Sequence, residues 1–75
     1  MKPIAIRKIS IGTDPMNAMH FQIGSTIMQG SHQIQHIERE EYGYDIYIKN
    51  GSNEVYVWKT INNFMPVTIE HNLDF

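Results

Sequence analysis

The segment Tyr44–Ile61 alternates apolar and polar side chains on both sides of Asn50-Gly51. A period of two marks a half-buried strand, and Asn-Gly is a strong short-range hairpin signal. Tyr44, Ile46 and Ile48 share one face of the first strand, and Asp45, Tyr47 and Lys49 share the other. Past the turn, Val55 and Val57 alternate with Glu54, Tyr56 and Trp58. Two registers satisfy the pattern. A two-residue type I′ turn sets Ile46 opposite Val55 and Tyr44 opposite Val57. A four-residue loop through Asn53 sets Ile48 against Val55, Ile46 against Val57, Tyr47 against Tyr56 and Lys49 against Glu54. Turn chemistry favours the first, and cross-strand pairing favours the second.

The flanking segments also read as strands. Ile4, Ile6, Ile9 and Ile11 cannot all point into one core along a regular strand, so residues 4–11 either bulge or bend near Arg7-Lys8 or form a long strand that passes from one core face to another, as barrel strands do. Asp14 suits a helix N-cap and Pro15 a first helical position, which predicts a short helix over residues 15–20. In residues 32–39, Ile34 and Ile37 are three apart. A bulged or edge strand is the preferred reading there, with a helix as the alternative. Asn62-Asn63-Phe64-Met65-Pro66 breaks the chain with one 3₁₀ turn, and Val67, Ile69, His71 and Leu73 alternate in a last strand. Phe75 is expected to dock back on the core. The expected fold is mostly β, a small antiparallel and partly open barrel of five short strands with one short helical insert. It spans residues 1–75 as one domain.

Phe21-Gln22-Ile23-Gly24-Ser25-Thr26-Ile27 resembles the x-x-Gly-x-x-Val entry into the second strand of SH3-like barrels. The break at 62–66 fits the same pattern, so the resemblance covers residues 21–73 and implies an SH3-like barrel. Ile11-Gly12-Thr13-Asp14-Pro15 and Met65-Pro66-Val67-Thr68-Ile69-Glu70 lie in a cysteine-free chain rich in Asn, Ile and Met. In these features the chain resembles the small accessory proteins of T-even-type tailed phages. That resemblance implies a host-takeover or counter-defence role: blocking a host protein, or sequestering an immune-signalling nucleotide. It assigns no residue a function, and it implies residence in the host cytoplasm.

Composition narrows the classes. A domain of 75 residues buries only about 60% of its unfolded surface and usually needs a staple. Cysteine is absent, which removes disulfides and thiolate metal sites, so a homo-oligomer is expected. Lys2, Arg7, Lys8, Arg39, Lys49 and Lys59 are scattered and the net charge is −2, which disfavours long nucleic acid. No apolar run reaches the roughly 20 residues of a membrane helix, and the N-terminus lacks a signal-peptide core, so a cytoplasmic protein is expected.

Catalytic and cofactor signals are weak. His32 and His36 would be neighbours on a helix but about 13 Å apart on a strand, so the strand reading predicts no metal site. Glu38, Glu40 and Glu41 read as a solvated turn. No serine sits in a nucleophile elbow, and no phosphate-cradling glycine pattern is present, so neither an enzyme nor a cofactor is expected. The positive signal is aromatic. Tyr47, Tyr56 and Trp58 are expected on one side of the hairpin, with Lys49 and Arg39 at the rim. Such rings dominate interface hot spots and stack on bases, but they also cover secondary cores and subunit interfaces. The expected function is a non-enzymatic factor that docks and inhibits a host protein. The alternatives are an oligomeric sponge for a small or cyclic nucleotide, with Arg39 or Lys59 meeting phosphate, and a structural β module without a ligand.

Overall fold

Seven isoleucines and one phenylalanine make the core: Ile6, Ile9, Phe21, Ile34, Ile37, Ile46, Ile48 and Ile61. β-Branched side chains lose little on a pleated surface, so a chain that buries isoleucine almost exclusively favours strands. The computed structural model describes residues 6–14 and 16–71. Among them run seven strands: β1 (Ile6–Ile11), β2 (Met19–Gln22), β3 (Thr26–Ile27), β4 (His32–Glu40), β5 (Gly43–Lys49), β6 (Val55–Asn62) and β7 (Val67–His71). They form two antiparallel sheets ordered β2-β1-β7 and β3-β4-β5-β6, one of them curled into a half-barrel. The mostly β, partly open barrel read from the sequence is the observed architecture. Two short strands, β2 and β3, raise the number of strands above the five expected.

The chain changes sheets between β2 and β3, where the SH3-like pattern was read. Ile23 N–H bonds the Arg7 carbonyl of the first sheet (2.9 Å). The next two residues bond Ile34 of the second sheet, through Gly24 N–H (2.8 Å) and the Ser25 carbonyl (2.9 Å). A corner of this kind lets one strand run serve both walls of a barrel.

Bulges sit where the isoleucine spacing demands them. Ile6 pairs with His71 and Lys8 with Glu70, so Arg7 is the extra residue of β1. That shift places both Ile6 and Ile9 inside. Arg7 is turned toward Glu70 at 2.6 Å, with Lys8 at 3.6 Å from the same carboxylate. In β4 the register shifts between Ile34 and His36, and Gln35 absorbs the odd residue. Ile34 and Ile37 are therefore both buried on a strand, as the bulged-strand reading expects, and the helical alternative does not occur.

Two local expectations are corrected. Residues 16–20 are not helical: Met16 and Asn17 form a turn, and Met19 and His20 already belong to β2. Pro15 lies outside the described residues. Asp14 instead closes a turn, its carboxylate accepting from Met16 N–H (3.0 Å) and the Asn17 amide (2.8 Å). Pairing of Met19 with Ile11 then draws the chain into the sheet before a second helical turn forms. The described helical element is instead a 3₁₀ turn at Met28–Gly30. Residues 62–66 make a plain turn closed by Met65 N–H to the Asn62 carbonyl (3.2 Å). β7 follows as expected to His71, whereas Leu73, Phe75 and Ile4 lie outside the described residues.

Candidate functional site

Neither hairpin register expected from the sequence occurs. β5 ends at Lys49 and β6 begins at Val55, with Lys49 opposite Val55, Ile48 opposite Tyr56 and Tyr47 opposite Val57. Asn50 builds the longer loop. Its side-chain oxygen accepts from Ser52 N–H (2.9 Å) and Glu54 N–H (3.0 Å), and Asn53 takes a left-handed conformation at φ 64°. Between Tyr47 and Ile46 the register shifts again, and Lys59 rather than Trp58 stands opposite Ile46.

These two departures separate the rings that the sequence placed together. Opposed residues of an antiparallel pair share a face. Tyr56 therefore joins Ile48 on the inner face, where its ring meets the edge of His32 at 6.4 Å. Tyr47 stays on the outer face against His36, with centroids 5.8 Å apart. Trp58 is the bulge residue and turns inward, edge-on to buried Phe21 at 5.7 Å and 77°. Lys49 stands half-buried between Gln33 and Val55, and exposed Arg39 lies opposite Tyr44 on β4. The five expected contact residues do not form one surface.

The outer face holds a polar knot in place of an aromatic platform. Asp45 is 5% exposed, and its carboxylate accepts from Thr60 Oγ1 (2.8 Å) and from the Tyr42 hydroxyl. The hydrogen bond to Asp45, burial and nearby negative charge push the Tyr42 phenol up to about 12. Each Asp45 oxygen thus has one donor, from the neighbouring strand and from the turn. His36 pairs with Glu38 on β4, and His32 with Ser31 Oγ (2.7 Å). Among the described residues, no three His, Asp or Glu side chains converge to hold a metal ion. Nor is any helix there long and apolar enough to cross a membrane.

A concave feature lies elsewhere among the described residues. A cleft of about 250 Å³ opens between β6 of the second sheet and β1 and β2 of the first, lined by Ile11, Met19, Phe21, Lys59, Thr60, Ile61, Asn62 and Met65. Lys59 is the charged residue in this wall, and its Nζ sits 4.9 Å from the centre of the Trp58 ring. Two loops stand at the same end, tied by Gly12 N–H to the Pro66 carbonyl (2.9 Å). They carry Met16 and Phe64, which are 90% and 93% exposed, and they deliver Met19 and Met65 to the cleft. Sequence reasoning missed this site. Its signal was four large apolar residues inside segments rich in Asn, Asp, Gly and Pro, where turn chemistry predicts polar side chains. Compared with known proteins, the chain matches no family model, no curated protein and no solved structure.

Proposed function

We propose that the protein acts by binding, without chemistry of its own, and docks an apolar segment of a partner protein in the cleft between β1, β2 and β6. The exposure of Met16, Met19, Phe64 and Met65 around one apolar cleft carries this reading. Unbranched thioethers reshape to a partner at low cost, and such surfaces recur in proteins that capture other proteins. Lys59 at the wall favours a segment with a carboxylate near its apolar anchor. The resemblance to phage accessory proteins makes that partner a host factor, and inhibition the outcome of docking. A photo-crosslinker replacing Phe64 is expected to give one discrete adduct in cells, absent from the same probe at Ser52 in the hairpin loop. Met65→Asp should abolish the adduct with the melting temperature retained. Equal labelling at both positions, or none at Phe64, would overturn the reading.

A second reading rests on Lys59 beside the Trp58 ring, a pair able to meet phosphate and base. Arg39, the other cation expected to serve a nucleotide, is two strands away on β4. Thermal melting with a panel of mono- and cyclic nucleotides separates the two. A rise in melting temperature with any of them selects the nucleotide sponge, by linkage of binding to stability.

A further inference from the structure

β6 ends its sheet, and its outer edge has no partner among the described residues. Val55, Tyr56 and Val57 are 50%, 42% and 43% exposed there. An apolar edge of this length is a template for another strand. The hydrogen-bond phase of the hairpin says which backbone groups face outward. Asn50 N–H donates to the Glu54 carbonyl (3.0 Å) at one end, and Asn63 N–H to the Tyr42 carbonyl (2.9 Å) at the other. Bonded and non-bonded pairs alternate along an antiparallel ladder. Stepping inward by two residues makes Ile48/Tyr56 and Tyr44/Ile61 bonded pairs. The two phases meet at Ile46, where the bulge of Trp58-Lys59 takes up the odd residue. Val55 and Val57 therefore turn their N–H and C=O groups to the open edge.

We infer that this edge pairs with β6 of a second copy, in an antiparallel register centred on Tyr56. A two-fold axis normal to the sheet keeps each face with its like, as an isologous dimer requires. Centred on Tyr56, it sets Val55 opposite Val57 of the second copy, and the reverse. All four valines present outward backbone groups, so four new hydrogen bonds form without disturbing β5–β6. The two Tyr56 side chains meet at a non-bonded position, where cross-strand contact is closest. Glu54 lies on the Tyr56 face and comes opposite Trp58 of the second copy, diagonal to its Lys59. A carboxylate thus meets an ammonium at both ends of the seam. Centring on Val57 instead sets Val55 against Lys59, whose main-chain groups face Ile46, so only the two hydrogen bonds of the Val57 pair would form. A foreign strand would satisfy the main chain equally, but it would not return this self-matching pattern. The docking cleft uses the far half of β6, from Lys59 to Asn62, so the dimer carries two clefts beside one seam.

Sedimentation equilibrium of the intact protein tests this directly, with a mass of two chains expected. Val55→Lys with Val57→Lys should give a monomer that keeps its far-UV spectrum. Tyr56→Cys supplies the single thiol of the chain and should oxidise to a covalent dimer, because non-bonded antiparallel pairs bring Cα atoms to about 4.5 Å. Thr60→Cys should not. Glu54→Lys or Lys59→Glu alone should weaken the dimer up to about tenfold, and the double exchange should restore it. A wild-type monomer at high concentration would overturn the inference. So would a dimer that survives the two lysines, or one that cross-links as fast through residue 60 as through 56.

Discussion

Gly43 shows how one residue carries the hairpin. Its φ is 147°, and a Cβ built on it would sit 1.9 Å from the Ile61 carbonyl oxygen and 2.7 Å from Asn62 Cα. Neither backbone can retreat, since both strands belong to the same ladder. Gly43→Ala is expected to cost about 3 kcal/mol, from overpacking and a left-handed backbone together, measured by urea unfolding. Tyr42 makes the second residue-scale prediction. Its folded-state pKa lies above the ordinary value of 10, at about 12, chiefly through the hydrogen bond to Asp45. The folded state thus favours the neutral phenol. Its contribution to stability is full below pH 10 and is lost as pH rises from 10 toward 12. Tyr42→Phe should remove the highest-pH step from the tyrosine absorbance titration and flatten this alkaline loss. The bond between Tyr42 and Asp45 joins residues three apart, yet Asp45 reads from the sequence as an ordinary outward-facing polar residue. Thr60, delivered by the next strand, completes its hydrogen bonding in the folded chain.

Among the elements, the bulges decide most. A regular β4 would turn Ile37 to solvent if Ile34 were inside, and Gln35 prevents this. That constraint lies within one strand, so the isoleucine spacing reveals it. The bulge at Trp58 answers to a different need, the pairing of β6 with β5, and nothing in the spacing of Val55, Val57 and Ile61 requires it. The loop is similar. Asn50-Gly51 invites a two-residue turn, but Asn50 spends its side chain on Ser52 and Glu54 instead. Asn53 then supplies the left-handed residue that closes the loop. Asn53→Gly should be neutral or stabilising by up to about 1 kcal/mol, whereas Asn53→Val should cost about 1–2 kcal/mol, both read from melting curves. The reverse ranking would mean that the short turn forms in solution.

For the whole molecule, the half-barrel leaves two openings on one strand. Among the described residues, the near half of β6 shows a free edge, and the far half lines an apolar cleft. A domain of this size has a small core and gains from any partner that covers such surfaces. If copies of the chain cover the edge, the melting temperature should rise by about 5–10 °C over a hundredfold increase in protein concentration. The Val55→Lys, Val57→Lys variant should lose this dependence. The aromatic residues singled out in the sequence take separate parts here. Tyr56 lies on the edge, Trp58 closes the core beside the cleft, and Tyr47 rests on the outer face.

Local covalent spacing was enough for the mostly β character and the bulges near Arg7 and Gln35. Each depends on the alternation or hydrogen bonding of residues a few positions apart. The register of β6, the burial of Asp45 and the meeting of the 12–18 and 62–66 loops came only with the folded chain. They depend on which distant backbone lies alongside, and a shift of one position there exchanges the two faces of a strand. Tyr47, Tyr56 and Trp58 were grouped correctly by strand, but an unforeseen offset and one extra residue sent them to different neighbours.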